Sequence, residues 1–78
     1  MNITGRQIRM ARVALKWRVD DLAHESGVNW ARLQKMERSD DQLEFNDKVQ
    51  KIIDLFKAHK IEFVDENDNY HSFIKVMK

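Results

Sequence analysis

Apolar residues recur at three- and four-residue intervals through most of the chain, and this spacing predicts amphipathic helices. The first helix begins after Thr4, which forms a capping-box pattern with Gln7, and runs to about Lys16. Its apolar stripe consists of Ile8, Ala11 and Leu15. A fourth helix follows the capping residue Asn46. The stripe of this helix consists of Val49, Ile52, Ile53 and Phe56.

Between these helices, residues 19–38 predict two shorter helices joined by a turn. The second helix spans about Val19 to Ser26 and is followed by Gly27, where glycine tolerates a left-handed backbone. Asn29 is a strong N-cap for a third helix from Trp30 to about Arg38. The apolar contacts of this unit are Leu22, Ala23, Val28, Leu33 and Met36. Two helices joined by a short turn with glycine indicate a helix-turn-helix, whose second helix lies in the DNA major groove.

The pattern changes after His59-Lys60, which ends the fourth helix. Ile61 to Val64 and Tyr70 to Val76 have the composition of strands, and the polar run Asp65 to Asn69 predicts a turn between them. An isolated two-stranded hairpin is marginal in water. This hairpin is therefore expected to pack on the helices, to pair with a second chain, or both.

The size and composition of the chain limit its class. Seventy-eight residues form one domain, because a second would have too little chain for its own core. No run approaches the ~20 apolar residues that span a bilayer, and the first residues lack the apolar segment of a signal peptide. Without cysteine there is no disulfide framework and no thiolate metal site. We therefore expect a cytoplasmic protein with no membrane partner.

Charge is unevenly distributed, although the formal net charge is only +1. Residues 1–38 hold eight basic and four acidic residues, whereas residues 39–78 hold six basic and nine acidic ones. A positive half suggests a face for phosphates. Charge runs are, however, usually solvated faces. Charge alone therefore does not decide whether the chain binds DNA.

Residues 19–38 resemble the phage repressor and Cro-like helix-turn-helix family, also called the xenobiotic-response-element family. The matching residues are Leu22, Ala23, Gly27, Val28, Leu33, Met36, Glu37 and Arg38. The resemblance covers about residues 4–58, and residues 61–67 also look like the ending of many short bacterial members. It implies a mainly α fold, a lambda-repressor-like helix-turn-helix bundle of four to five helices with a C-terminal β-hairpin. Residues 1–60 would be the DNA-binding domain, and residues 61–78 a dimerisation element of the same domain.

The resemblance also implies roles for single residues. Trp30 and Ala31 match the first positions of the recognition helix, which reach base edges or nearby phosphates, and Lys35 matches a base-reading position one turn further on. Asn29 caps that helix and can touch phosphate. The candidate DNA-binding residues are Arg18, Asn29, Trp30, Ala31, Arg32, Lys35 and Arg38. Two further residues, Arg12 and Glu37, match a buried salt bridge between the first and third helices and would be structural.

The chain departs from the family at the start of the second helix and at Trp30. The family usually has Ser-Gln or Asn-Gln where this chain has Arg18 and Val19, and its glutamine holds a DNA phosphate. Valine cannot donate a hydrogen bond, whereas Arg18 offers a phosphate charge nearby. Trp30 is apolar where polar residues are common, and it suits either a thymine methyl or a protein-binding surface. Lys16 and Ser39 stand where the family usually has glycine.

These observations predict a transcriptional regulator, a repressor by analogy with the family, that binds operator half-sites as a homodimer through the fourth helix and residues 61–78. The alternative is a protein-interaction module that keeps the fold without binding DNA. No enzyme is expected. The three histidines, His24, His59 and His71, lack metal-ligand spacing, and the two isolated glycines form no phosphate loop. We expect no metal, cofactor or small-molecule ligand.

Overall fold

The computed structural model describes residues 3–39, 43–64 and 73–77. Its helices are α1 (Gly5–Ala14), α2 (Val19–Ser26), α3 (Trp30–Glu37) and α4 (Asp47–Ala58), and its strands are β1 (Ile61–Val64) and β2 (Phe73–Val76). The prediction of a mainly α chain ending in an antiparallel strand pair is confirmed. The predicted turn at 65–69 and the predicted strand start at Tyr70 lie outside the described residues. None of the described helices is long and apolar enough to cross a membrane.

Side-chain caps fix where the helices begin. The hydroxyl of Thr4 accepts from the amide of Gln7 at 3.3 Å, and the Gln7 Oε1 accepts from the Thr4 amide at 2.8 Å. This is the capping box that the sequence predicted. Asn46 caps α4 in the expected way, because its Oδ1 accepts from the amides of Lys48 and Val49 at 2.9 and 3.0 Å.

The end of α1 differs from the prediction. The helix was expected to reach Lys16, but it ends at Ala14, and Leu15 is the C-cap. Lys16 has a φ of 60°, in the left-handed region that a helix cannot continue through. Lys60, just beyond α4, has a φ of 65°. Two of the described helices, α1 and α4, are therefore followed closely by a left-handed lysine.

The core is formed by one face of each helix and the inner side of β1. Its buried residues are Ile3, Ile8, Ala11, Leu22, Val28, Leu33, Val49, Ile52, Ile53, Phe56, Ile61 and Phe63. Phe56 lies at the centre of an aromatic cluster, with ring centroids 5.7 Å from Phe63 and 5.9 Å from Trp17. Trp17 also makes an edge contact with His59 at 4.9 Å. Trp17 thus packs against the core.

The hairpin packs on the helices of its own chain. Strands β1 and β2 are antiparallel, with Ile61 opposite Val76 and Phe63 opposite Ile74. Strand β1 contacts α4, and β2 contacts α1. The side-chain amide of Gln7 donates to the Val64 carbonyl at 2.7 Å and joins α1 to the sheet. The expectation that the hairpin packs on the helices is therefore confirmed within a single chain.

Candidate nucleic-acid interface

A three-residue turn joins α2 to α3. Gly27 has a φ of 72° and a ψ of 11°, and its amide donates to the Ala23 carbonyl at 3.0 Å. This left-handed residue ends α2 as the sequence predicted. Val28 is buried beneath the turn, and Leu22 and Leu33 are buried on the two helices. These contacts fix α3 against α2.

The first turn of α3 is held by Asn29. Its Oδ1 accepts from the amides of Ala31 and Arg32 at 2.9 and 3.2 Å, so two of the free N–H groups at the start of the helix are satisfied. Trp30 is the first helical residue and is 46% exposed. The other exposed residues of α3 are Ala31, Arg32 and Lys35. A capped, well-anchored helix therefore presents one apolar and two basic side chains beside alanine.

A first groove runs along one side of α3 and has a volume of about 730 Å³. Four of the seven candidate DNA-binding residues line it, namely Asn29, Ala31, Arg32 and Lys35. Its other wall includes Leu43 and Lys48, from the segment that leads into α4 and the first turn of that helix. Three cations on this groove make it a favourable place for phosphate oxygens.

A second groove of about 350 Å³ lies between α3 and the start of α2. Trp30 and Arg18, two more candidates, line it together with Trp17, Val19 and Gln34. Arg18 is exposed, and its amide donates to Asp21 Oδ2 at 2.8 Å, while its side chain makes no cap hydrogen bond. Arg18 is thus a poor N-cap, because the arginine side chain has no hydrogen-bond acceptor. Its guanidinium remains at the surface.

The seventh candidate, Arg38, is exposed at the C-terminal end of α3. It lines a third, smaller groove with Arg9, Val19 and Gln34. Val19 therefore lies between the second and third grooves, and it is half-buried. At this position, where the resembling family has its phosphate-binding glutamine, the chain has a valine, and Arg18, Arg38 and the side-chain amide of Gln34 line the same two grooves.

Arg12 and Glu37 form the ion pair that the resemblance implied. The Arg12 Nη2 lies 2.9 Å from the Glu37 Oε1, and the Nε donates to Oε2, also at 2.9 Å. The two side chains are 15% and 8% exposed, respectively. The remaining nitrogen, Nη1, donates to the Trp17 carbonyl at 2.9 Å. The pair joins α1 to α3 and fixes the chain between α1 and α2, which makes its role structural.

The sequence did not indicate Lys48 as part of this surface. It appeared only as one basic residue in the negatively charged half of the chain. The structure brings it to the first groove with Arg32 because Asn46 starts α4 beside α3. No spacing between α3 and α4 in the sequence could have predicted that approach.

Comparisons with known protein families, with curated proteins and with solved structures find no match. Within residues 3–39, 43–64 and 73–77, no group of three or more histidine or acidic side chains could hold a metal ion. The function of this chain is therefore inferred from its own residues.

Proposed function

We propose that this chain is a helix-turn-helix regulator of the lambda-repressor-like fold, and that it binds double-stranded DNA with α3 in the major groove. The observation that carries the proposal is the outer face of α3. It exposes Trp30, Ala31, Arg32 and Lys35 on a helix that Asn29 caps and that buried Leu33 anchors. In helix-turn-helix proteins the second helix places such residues against base edges.

Basic residues at both ends of α3 support the same proposal. Arg18 and Arg38 are exposed beside the second and third grooves, and Lys48 faces the first. Contacts to phosphates position a protein on the duplex, while base contacts specify the sequence. In this arrangement Arg18, Arg38 and Lys48 bind the backbone, and the outer face of α3 reads bases.

The proposal includes a homodimer, because one eight-residue helix makes few base contacts and two half-sites about 34–36 Å apart double them. The apolar stripe of α4 is used within its own chain, since Val49, Ile52, Ile53 and Phe56 are buried. By contrast, Val76 and Met77 are 62% and 41% exposed. We therefore place the contact mainly on β2, within residues 61–78, with α4 contributing little.

DNA binding is tested by fluorescence anisotropy with a labelled pool of random duplexes, first at low ionic strength and then with added salt. The wild-type protein is expected to bind, and its affinity to fall about 10³-fold or more between 50 and 200 mM salt if a dimer makes six or more phosphate contacts. Lys35→Glu is expected to weaken binding at least about tenfold, because it removes a contact and repels the DNA.

The matched control is Lys51→Glu, which makes the same charge change at an exposed position of α4. Binding by this variant should stay close to that of the wild type. If no duplex binds at low ionic strength, DNA binding is not the function. If both variants bind as well as the wild type, α3 is not the helix that contacts DNA.

A protein-interaction module is the second candidate function. It is favoured by the 46% exposure of Trp30 and by Val19, which cannot replace a phosphate-binding glutamine. This candidate predicts that the protein binds no duplex at any salt concentration, and that Lys35→Glu leaves its cellular activity intact while Trp30→Ala abolishes it.

A further inference from the structure

We propose that Trp30 selects thymine in each DNA half-site by packing its indole against the C5 methyl group. The inference rests on the proposed DNA binding and adds the base that this residue reads. Trp30 is the first residue of α3 and, at 46% exposure, its side chain is both anchored and accessible. A residue at this end of the helix is one that approaches base edges in a helix-turn-helix.

Trp30 is partly enclosed and its backbone is fixed. The residue lines the second groove with Trp17 and Val19, and about half of its surface is covered. The backbone beneath it is fixed by Asn29, which accepts from the next two amides. A large side chain with two rotatable bonds, held in this way, loses little freedom when it meets a ligand.

Trp30 has apolar neighbours on α3 and at the start of α2. Its neighbour Ala31 is exposed and carries only a methyl group, and Val19 is half-buried beside the same groove. The charged residues that share its groove are Arg12, Arg18 and Asp20, and Arg32 follows Ala31 on the outer face of α3. Trp30 is therefore an exposed apolar side chain on a surface where arginines outnumber the single carboxylate, which suits contact with a base edge between phosphates.

The chemistry of the major groove makes thymine the match for such a centre. Thymine is the one base that presents an apolar group there, the C5 methyl, whereas the other base edges present mainly donors and acceptors. A polar edge that faces the carbon atoms of the indole, away from its N–H, loses its hydrogen bonds to water without replacement, which is unfavourable. Contact with the methyl group removes apolar area from water, which is favourable.

The test uses deoxyuridine, which differs from thymidine only by lacking the C5 methyl group. A preferred duplex is first selected from a random pool by repeated rounds of binding, and each thymine is then replaced in turn. For the wild-type protein, replacement at one position of a half-site should weaken binding about fourfold, and replacement in both half-sites roughly fifteenfold. Since no charge is involved, the same ratio is expected at low and high salt.

Two variants assign the effect to Trp30. Trp30→Phe keeps an apolar ring but loses the indole N–H, and it should still respond to deoxyuridine. Trp30→Gln presents a polar group, and it should bind the thymine and uracil duplexes equally well. Circular dichroism spectra of both variants check that α3 still forms.

Other results would overturn the proposal, and each result identifies which part of it is wrong. If the protein binds DNA but no deoxyuridine substitution weakens binding, or if Trp30→Gln keeps the full response, Trp30 does not read thymine. If Trp30→Gln binds the selected duplex as well as the wild type does, Trp30 is free for a protein partner instead. If no duplex binds at all, the DNA-binding function itself fails.

Discussion

The Arg12–Glu37 ion pair is the residue-level feature on which the position of α3 depends most directly. Its two side chains are largely buried, and Arg12 also bonds the Trp17 carbonyl. Replacing Glu37 with glutamine leaves the guanidinium buried without a counter-charge. We expect Glu37→Gln to lower the free energy of unfolding by about 3 kcal/mol, measured by urea denaturation.

The control for this variant is Glu25→Gln, the same change at an exposed site on α2. It should alter the free energy of unfolding by less than about 0.5 kcal/mol. Equal losses in the two variants would show that the ion pair adds no stability beyond that of a surface carboxylate.

Close packing of α1 against the end of α3 requires glycine at position 5. A Cβ atom placed there would lie 1.7 Å from the Met36 carbonyl oxygen and 2.7 Å from that of Ser39. Both are backbone atoms, so α1 and the end of α3 would have to separate. We expect Gly5→Ala to lower the free energy of unfolding by about 3 kcal/mol, measured by denaturant titration.

Gly27→Ala is the informative comparison for Gly5→Ala. Its Cβ atom would meet nothing within 4 Å, but its φ of 72° disfavours alanine. That backbone cost is about 1–2 kcal/mol. A loss in Gly5→Ala no larger than in Gly27→Ala would contradict the close helix approach.

Gln7 illustrates which residue-level contacts the sequence could predict. Its bond with Thr4 follows from a three-residue spacing, and the capping box was predicted on that basis. Its bond with the Val64 carbonyl joins residues 57 positions apart, and no local pattern encodes it. Likewise, the partner of Arg12 came from the resemblance, because an arginine beside an apolar stripe shows only that some partner is needed.

At the scale of elements, α1 and α4 are each followed by a lysine whose backbone is left-handed. Glycine would be less strained at both positions. Lys16 has a φ of 60°, and such a backbone costs a non-glycine residue about 1–2 kcal/mol. Glycine removes that strain but has more entropy to lose on folding, about 0.5–1 kcal/mol. We expect Lys16→Gly to raise the free energy of unfolding by about 0.5–1 kcal/mol, measured by urea denaturation.

Lys51→Gly is the same substitution at an exposed position inside α4. It should lower the free energy of unfolding by about 1 kcal/mol, because glycine is a poor helix former. Opposite signs for the two variants are therefore expected, and a loss in both would argue against left-handed strain at Lys16.

The elements that the sequence predicted well are those with local signals. Asn29 and Asn46 cap the helices that follow them, and the α2 bounds agree with the prediction because Gly27 is an evident stop. The end of α1 was placed two residues too late, since a lysine gives no warning of a left-handed backbone. The hairpin was predicted from composition, but its packing against α1 and α4 depends on tertiary contacts.

At the scale of the whole molecule, the candidate site is assembled from residues that are distant in sequence. All seven predicted DNA-binding residues are exposed, and they lie on α3 or beside it. The sequence could not show that these residues line three separate grooves. It also could not show that Lys48 lies beside the residues of α3, because that position depends on how α4 packs near α3. Local pattern thus placed six of the seven side chains on α3 or at its caps, whereas packing brought Arg18 and Lys48 beside that helix.

The proposed homodimer gives the prediction that concerns the whole molecule. If β2 forms the contact, a charged residue at an exposed apolar position of this strand should disrupt the contact without affecting the core. Val76 is 62% exposed in the single chain. Sedimentation analysis at micromolar concentrations should therefore find two chains in the wild-type particle and one in Val76→Lys, because a buried lysine without a partner opposes association.

The matched control is Val13→Lys on α1, where the valine is 58% exposed and lies outside the hairpin. This variant should remain a dimer. Val76→Lys should also bind a two-half-site duplex far more weakly than the wild type while keeping its helical spectrum, since a monomer contacts one half-site. A wild-type monomer at high micromolar concentration would rule out the dimer. A dimeric Val76→Lys would instead place the contact on a surface other than β2.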